Sequence, residues 1–238
     1  MAYDVVIFDL DGTLLDTLDD LMDSCNYALS TIGAPPRTRA EIRRFVGNGI
    51  RNLMLQAVPD GADNPKFEQA YETMQTWYKA HNQIKTAPYP GVQWLIRTLK
   101  QQGVPMAVVS NKPDASVQML VEQWFPEITF GLGEREGLRR KPERDMVDYA
   151  IAQLGQTGKK TVYVGDSEVD LTTAANAGLD CISVTWGFRD RALLVERGAK
   201  QFADTAEELL RLIQGEFETQ GKGRRPKTRF PSPFRIFD

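Results

Sequence analysis

Short apolar runs closed by polar residues or glycine recur along the chain: VVIFDL at 5–10, PMAVVS at 105–110, TVYVGD at 161–166 and CISVTW at 181–186. Runs this short and this apolar suit strands buried on both faces of a parallel sheet. ITFGL near residue 130 is a weaker candidate of the same kind. Between the runs the spacing changes to three and four. Val117, Leu120, Val121 and Trp124 mark a helix over 114–125, and Val147, Ile151 and Leu154 mark another, opened by Pro142 and stopped by Gly155. Thr205 and Glu208 read as a capping box for a helix through Leu209, Leu210 and Ile213. Strand and helix patterns in alternation predict a doubly wound α/β fold, a Rossmann-like core around a parallel sheet.

One connection is too long. A crossover needs only a dozen or more residues, and the pattern from Gly91 to Gln102 already supplies that helix. Residues 16–87 are surplus to the sheet, and they read as helical. Leu18, Leu21, Met22, Cys25, Leu29 and Ile32 keep helical spacing up to Gly33, Pro35 and Pro36. Thr38 with Glu41 forms a capping box, and Asn64-Pro65 opens a segment with Phe67, Ala70, Tyr71, Met74 and Trp77 on one face. The expected organisation is a core of 1–15 and 88–215, a helical insert of 16–87 with hinges near Leu14–Thr17 and Thr86–Gly91, and a basic tail over 216–238.

Composition narrows the function. With 42% apolar and 26% charged residues and a net charge of -3, the 238-residue chain has a globular composition and no overall charge that would draw it to nucleic acid or an acidic membrane. No apolar run nears the roughly 20 residues that span a bilayer, and no leader-like segment opens the chain, so the cytoplasm is the expected location. Cys25 and Cys181 form no spaced motif and read as buried thiols. The single histidine, His81, excludes a multi-histidine zinc site, leaving carboxylates, lysine and hydroxyls to carry any chemistry. In the tail, Lys222, Arg224, Arg225, Lys227, Arg229 and Arg235 lie among glycines and prolines, the pattern of a surface extension.

Ligands of open parallel sheets bind beyond the carboxyl ends of the strands. Three of the predicted strands end there in polar clusters: Asp9 and Asp11; Ser110, Asn111 and Lys112; Asp166, Ser167 and Asp170. Clustered aspartates suit magnesium, a hard cation that takes oxygen ligands and completes its shell with phosphate. The glycine directly after Asp11 does not fit an EF-hand loop. Asp9 could attack phosphorus, and Asp11, two residues on, could move protons. The Ser110 hydroxyl, the Asn111 N–H and a lysine, with Lys141 the better candidate, could hold the phosphate oxygens. Each piece taken alone also has a plainer reading: a turn at Asp9–Gly12 or at Ser110–Pro113, a solvated Lys141 in the run RRK, or a helix cap at Asp166-Ser167. Their order at three strand ends is what favours the joint reading.

At these residues the chain resembles the haloacid dehalogenase-like hydrolase superfamily. DLDGT (Asp9 to Thr13), SN (Ser110, Asn111), Lys141 and GDSEVD (Gly165 to Asp170) are similar to its four ordered motifs. The resemblance implies Asp9 as nucleophile and metal ligand, Asp11 as acid/base with its carbonyl on the metal, Asp166 as the second metal carboxylate, and Asp170 in support. It assigns Ser110, Asn111 and Lys141 to the phosphate and Mg2+ to the cofactor site, and it makes the insert a type-1 cap that closes over the site. Pro142 is followed by Glu143 and Arg144 rather than by the Pro-x-Pro of many relatives, which leaves Arg139 or Arg140 as rivals of Lys141.

Within that superfamily Asp11 implies phosphoryl transfer, because the dehalogenating members lack this acid/base aspartate. FVGNGIRNLM (Phe45 to Met54) and PYPGV at 88–92 are similar to segments of the phosphoglycolate phosphatase group. That likeness marks Gly47, Asn48, Gly49 and Arg51 as candidate substrate contacts; a plain glycine turn between two helices is the alternative. The expected protein is a monomeric or homodimeric Mg-dependent phosphatase for a small phosphorylated metabolite, using an aspartyl-phosphate, with no nucleic-acid or membrane partner. The rivals are an inorganic pyrophosphatase, a phosphosugar mutase, disfavoured because Thr17–Asp20 holds no histidine, and a non-catalytic binding protein on the same scaffold.

Overall fold

The computed structural model describes residues 2–216, so the expected tail lies, from residue 217 on, outside the described residues. After β1 (Val5–Phe8) and a short β2 (Leu15–Asp16), the chain runs through α1 (Leu18–Thr31), α2 (Arg39–Phe45), α3 (Gly49–Ala57) and α4 (Phe67–His81), then returns as β3 (Ala87–Pro88). It then alternates: α5 (Val92–Gln101), β4 (Met106–Pro113), α6 (Asp114–Trp124), β5 (Phe130–Glu134), α7 (Asp145–Gln153), β6 (Thr161–Gly165), α8 (Glu168–Ala177), β7 (Asp180–Val184), α9 (Arg191–Glu196), β8 (Gln201–Ala203) and α10 (Ala206–Gln214).

The main sheet has the order β5-β4-β1-β6-β7-β8, and every pairing in it is parallel. The fold is therefore the doubly wound α/β arrangement of the sequence pattern. Side chains alternate across the sheet as the period of two demands. Val6, Phe8, Val108, Val162 and Val164 join α5, α6 and α10 in one apolar cluster, while Val5, Ile7, Ala107, Val109 and Tyr163 join α7 and α8 in another. β1 lies between β4 and β6, where the chain changes its direction of travel across the sheet, so the ends of these three strands form a crevice.

The helices α1–α4 enclose a third cluster, built on Leu21, Cys25, Leu29, Leu53, Met54, Phe67, Met74 and Tyr78. Its entry and exit are joined. β2 and β3 pair antiparallel, Leu15 with Pro88 and Asp16 with Ala87. Just beyond, the buried Asp20 carboxylate accepts the backbone N–H groups of Lys85 (3.0 Å) and Thr86 (2.9 Å).

Local chemistry explains most boundaries. Thr38 and Glu41 cap α2 reciprocally. At α10 the Thr205 side chain accepts from Glu208 N, but the Glu208 carboxylate reaches back to Asp204 N, so only half of the expected box forms. Pro142 is not the first residue of α7. A turn from Arg140 to Glu143 intervenes and the helix starts at Asp145. Cys25 is buried, whereas Cys181 is partly exposed.

Candidate active site

Asp9 and Asp11 follow β1, and the tight turn after them needs glycine. Gly12 has φ +87°, and a Cβ there would land on the Asp166 carboxylate. Gly187 abuts the same side chain, where a Cβ would meet Asp166 and the Gly12 carbonyl, so both glycines leave the room that Asp166 occupies. Ser110, Asn111 and Lys112 lie where the pairing of β4 with β5 shifts register between Val109 and Pro113. Such an irregularity turns side chains away from the ladder and, here, into the crevice.

Lys141 is the residue of the run RRK that points inward. Its side chain is only 3% exposed, and Nζ donates to Asp9 Oδ1 (2.7 Å), Asp170 Oδ1 (2.9 Å) and the Tyr163 hydroxyl (3.0 Å). Arg139 faces out to Asp145 and Arg140 to Glu134. Asp170 is saturated. Besides Lys141, it accepts from the N–H groups of Asp166 (3.2 Å) and Ser167 (3.1 Å) and from the Ser167 hydroxyl (2.6 Å), in the capping box of α8.

Asp9, Asp166 and Asp170 are buried, and one carboxylate oxygen from each lies within 4.8 Å of the other two. Lys141 offsets one of the three charges and leaves the equivalent of one divalent ion unmatched. Burial pushes the Asp9 carboxyl well above its ordinary range, Asp170 and Asp166 adding to the push against Lys141. Burial and the Asp170 charge push Asp166 up to about 7, against the Phe188 N–H that donates to it. Burial would lower Lys141, but the Asp170 and Asp9 carboxylates hold it well above its usual value. Because Asp170 is committed, the oxygens open to a hard cation belong to Asp9 and Asp166, an all-oxygen donor set that fits magnesium.

Asp11 stands apart from this cluster. Its Oδ1 accepts from Thr17 Oγ1 (2.6 Å) and Lys112 Nζ (2.7 Å), and Ser110 Oγ lies 3.5 Å from its Oδ2. Lys112 Nζ also donates to the Tyr78 hydroxyl (2.6 Å), on α4 of the insert. Asn111 spans both lobes, its Nδ2 donating to Lys141 O (3.0 Å) and Gly47 O (3.3 Å), while its buried Oδ1 has no partner among the described residues.

A cleft of about 580 Å³, counting its open mouth, joins these groups to the insert. Gly47 and Gly49 line it together with Leu21, Val46, Ile50 and Leu53. Asn48 sits between the two glycines, just ahead of α3. Arg51 lies elsewhere, paired with Glu68 at 3.0 Å and over the rings of Phe67 and Tyr71. The loop after β7 clasps the insert. Arg189 donates to the carbonyls of Arg43 and Val46 (both 2.7 Å) and to Glu168 (2.8 Å), Arg43 returns a bond to Gly187 O (3.1 Å), and the Phe188 ring enters the apolar cluster of α1–α4.

Sequence reasoning did not single out Tyr78, Phe188 or Arg189. Tyr78 sits on the apolar stripe of its helix, where a core residue is expected. For Arg189 the only available signal is Gly187 just past a strand end. The sequence marks Lys112 only as strand-end polarity and names no partner for it.

A profile of the family described as Haloacid dehalogenase-like hydrolase matches residues 6–184. The chain belongs to that family. It is 33% identical over 194 residues to the phosphoglycolate phosphatase of Pseudomonas putida, covering 77% of this chain and 70% of that one. The phosphoglycolate phosphatase of Agrobacterium fabrum is 32% identical over 198 residues, 78% of this chain and 82% of that one. Among solved structures, a protein from Lactobacillus delbrueckii subsp. bulgaricus, provisionally named phosphoglycolate phosphatase, superposes with a TM-score of 0.85 at 39% identity, covering 90% of this chain and 99% of that one. This family member is an enzyme, a hydrolase whose named relatives are phosphatases. Among the described residues no helix is long and apolar enough to cross a membrane.

Proposed function

We propose that the protein is a magnesium-dependent phosphatase acting on a small phosphorylated metabolite of the 2-phosphoglycolate type, through an aspartyl-phosphate on Asp9. The observation that carries this reading is the buried contact of Lys141 Nζ with Asp9 Oδ1 at 2.7 Å, in a cluster whose remaining carboxylate oxygens suit a hard cation. Magnesium held by Asp9 and Asp166, with the Asp11 carbonyl, would neutralise phosphate charge there. The Asp9 carboxylate, oriented by Lys141 at its Oδ1, attacks phosphorus. The Lys141 charge, held beside Asp9, together with the Ser110 hydroxyl and the Asn111 N–H stabilises the phosphoryl oxygens as their charge shifts. Asp11, fixed by Thr17 and Lys112, gives a proton to the departing alkoxide and later takes one from water. Asp170 holds Lys141. The cap excludes bulk water, and the Gly47-Asn48-Gly49 turn, whose two glycines line the cleft, would offer backbone N–H groups to the substrate, with Arg51 bracing the cap through Glu68.

The reading is tested by phosphate release from 2-phosphoglycolate, pyrophosphate, sugar phosphates and nucleotides, with and without Mg2+. Turnover is expected only with the ion, and highest on 2-phosphoglycolate. Asp9→Asn is expected to fold and to reduce turnover to background; an active Asp9→Asn enzyme would remove Asp9 as nucleophile. A best rate on pyrophosphate would change the substrate assignment.

A further inference from the structure

Three cations line the cleft, and their donors can be accounted for separately. A lysine ammonium carries three N–H donors. Lys141 directs its donors to Asp9, Asp170 and Tyr163. Arg189 spreads its guanidinium over Glu168 and the carbonyls of α2 and the residue after it. Lys112 differs: it donates to Asp11 and to the Tyr78 hydroxyl and has no third acceptor among the described residues. The Tyr78 hydroxyl accepts from Lys112, and its own O–H donates to no group among the described residues. Both side chains are buried, 6% and 2% exposed, and both line the cleft. A charged N–H and a phenolic O–H, adjacent, desolvated and unspent, form a receptor with two donors for an anionic acceptor.

Position and shape narrow the ligand. Lys141 marks the phosphate side of the cleft. Lys112 touches Asp11, the group that protonates the leaving oxygen, and so marks the leaving-group side. An anionic group on the carbon that bears the ester oxygen would meet this pair. The wall beyond is apolar, with Leu21, Ile50 and Leu53, so hydroxyls of a sugar would be buried there without partners. Two donors match the two oxygens of a carboxylate and leave the third oxygen of a second phosphate unmatched.

We infer that Lys112 of the core and Tyr78 of the cap form a receptor for a carboxylate on the leaving alcohol, which makes the substrates phosphate esters of short 2-hydroxy carboxylic acids. This rests on the phosphatase reading for the orientation of substrate. It goes beyond that reading by assigning specificity to a pair contributed from both lobes, so that the substrate carboxylate bridges cap and core.

The test separates binding from turnover. Asp9→Asn protein in Mg2+ is titrated calorimetrically with 2-phosphoglycolate and with ethyl phosphate, which has the same two-carbon chain and no carboxylate. The expected preference for 2-phosphoglycolate is about tenfold or more, the worth of hydrogen bonds to a charged group. Adding Lys112→Met or Tyr78→Phe is expected to bring the affinity ratio towards one; Tyr78→Phe keeps the ring in its packing, so loss of fold does not obscure the result. Equal affinities in the parent, or a preference that survives both substitutions, would overturn the receptor. An active phosphatase without the preference sinks the receptor alone. The preference without any turnover sinks the phosphatase reading and leaves the receptor standing.

Discussion

At the scale of single residues, Asp170 shows how a carboxylate can matter to the chemistry without an oxygen free for substrate. One of its oxygens faces Lys141 and Tyr163, and the other collects the backbone N–H groups that open α8. In Asp170→Asn the amide loses the charge facing Lys141 and sets an NH2 against donors. The expected loss is about 3 kcal/mol in urea unfolding, the scale of breaking a buried ion pair, with a fall in kcat as Lys141 is misplaced. Unchanged stability and kcat would show that Asp170 is dispensable. Polar clusters at the ends of apolar runs made Asp9, Asp11, Ser110, Asn111 and Asp166 readable, because their placement follows from strand topology alone. In the run RRK the sequence favours Lys141 but leaves Arg139 and Arg140 as rivals, because which of three adjacent cations turns inward depends on the Arg140–Glu143 turn. Tyr78 was hidden for a physical reason, since its ring packs as a core residue while its hydroxyl faces Lys112.

Among the elements, the loop between β7 and α9 connects two tasks. The Phe188 N–H donates to Asp166 Oδ2 at 2.6 Å while the Phe188 ring packs in the cap cluster, and Arg189 binds carbonyls at the C-terminal end of α2. Those carbonyls have no partner within the helix and need one. Arg189→Ala is expected to loosen the cap, lowering kcat/KM about tenfold on carboxylate-bearing and carboxylate-free esters alike and speeding amide exchange over residues 45–50. Unaltered exchange in this segment would show that the clasp does not hold the cap. The strong strands were legible because runs buried on both faces are apolar throughout. β8 and the β2·β3 ribbon were not, being three and two residues per strand, too short for any period to register. α7 begins later than its proline suggested because the preceding turn is needed to bring Lys141 inward.

Taken as a whole, the molecule concentrates like charge at the centre of its fold, and pH and metal act on that concentration together. Burial and the Asp170 charge raise Asp166 to about 7, whereas a carboxyl of the unfolded chain titrates at ~4. The folded state therefore binds a proton that the unfolded state releases. Its stabilising contribution is complete below about pH 4 and is lost as pH rises through about 7. A divalent cation bound between Asp9 and Asp166 would take over that role where the proton is gone, so the gain in Tm on adding Mg2+ is expected to be small at pH 5 and to grow towards pH 8. Equal gains at both values in thermal scans would contradict this coupling. The β2·β3 ribbon has a different reach. Leu15 and Pro88 are paired neighbours although more than seventy residues separate them in the chain, so the insert leaves the core almost where it entered. An insertion with touching ends is an exchangeable cassette: one helical insert could be traded for another without moving the sheet or its carboxylates. Tyr78 would travel with such a cassette and Lys112 would stay behind, so selectivity can diversify across a lineage while the reaction is inherited intact.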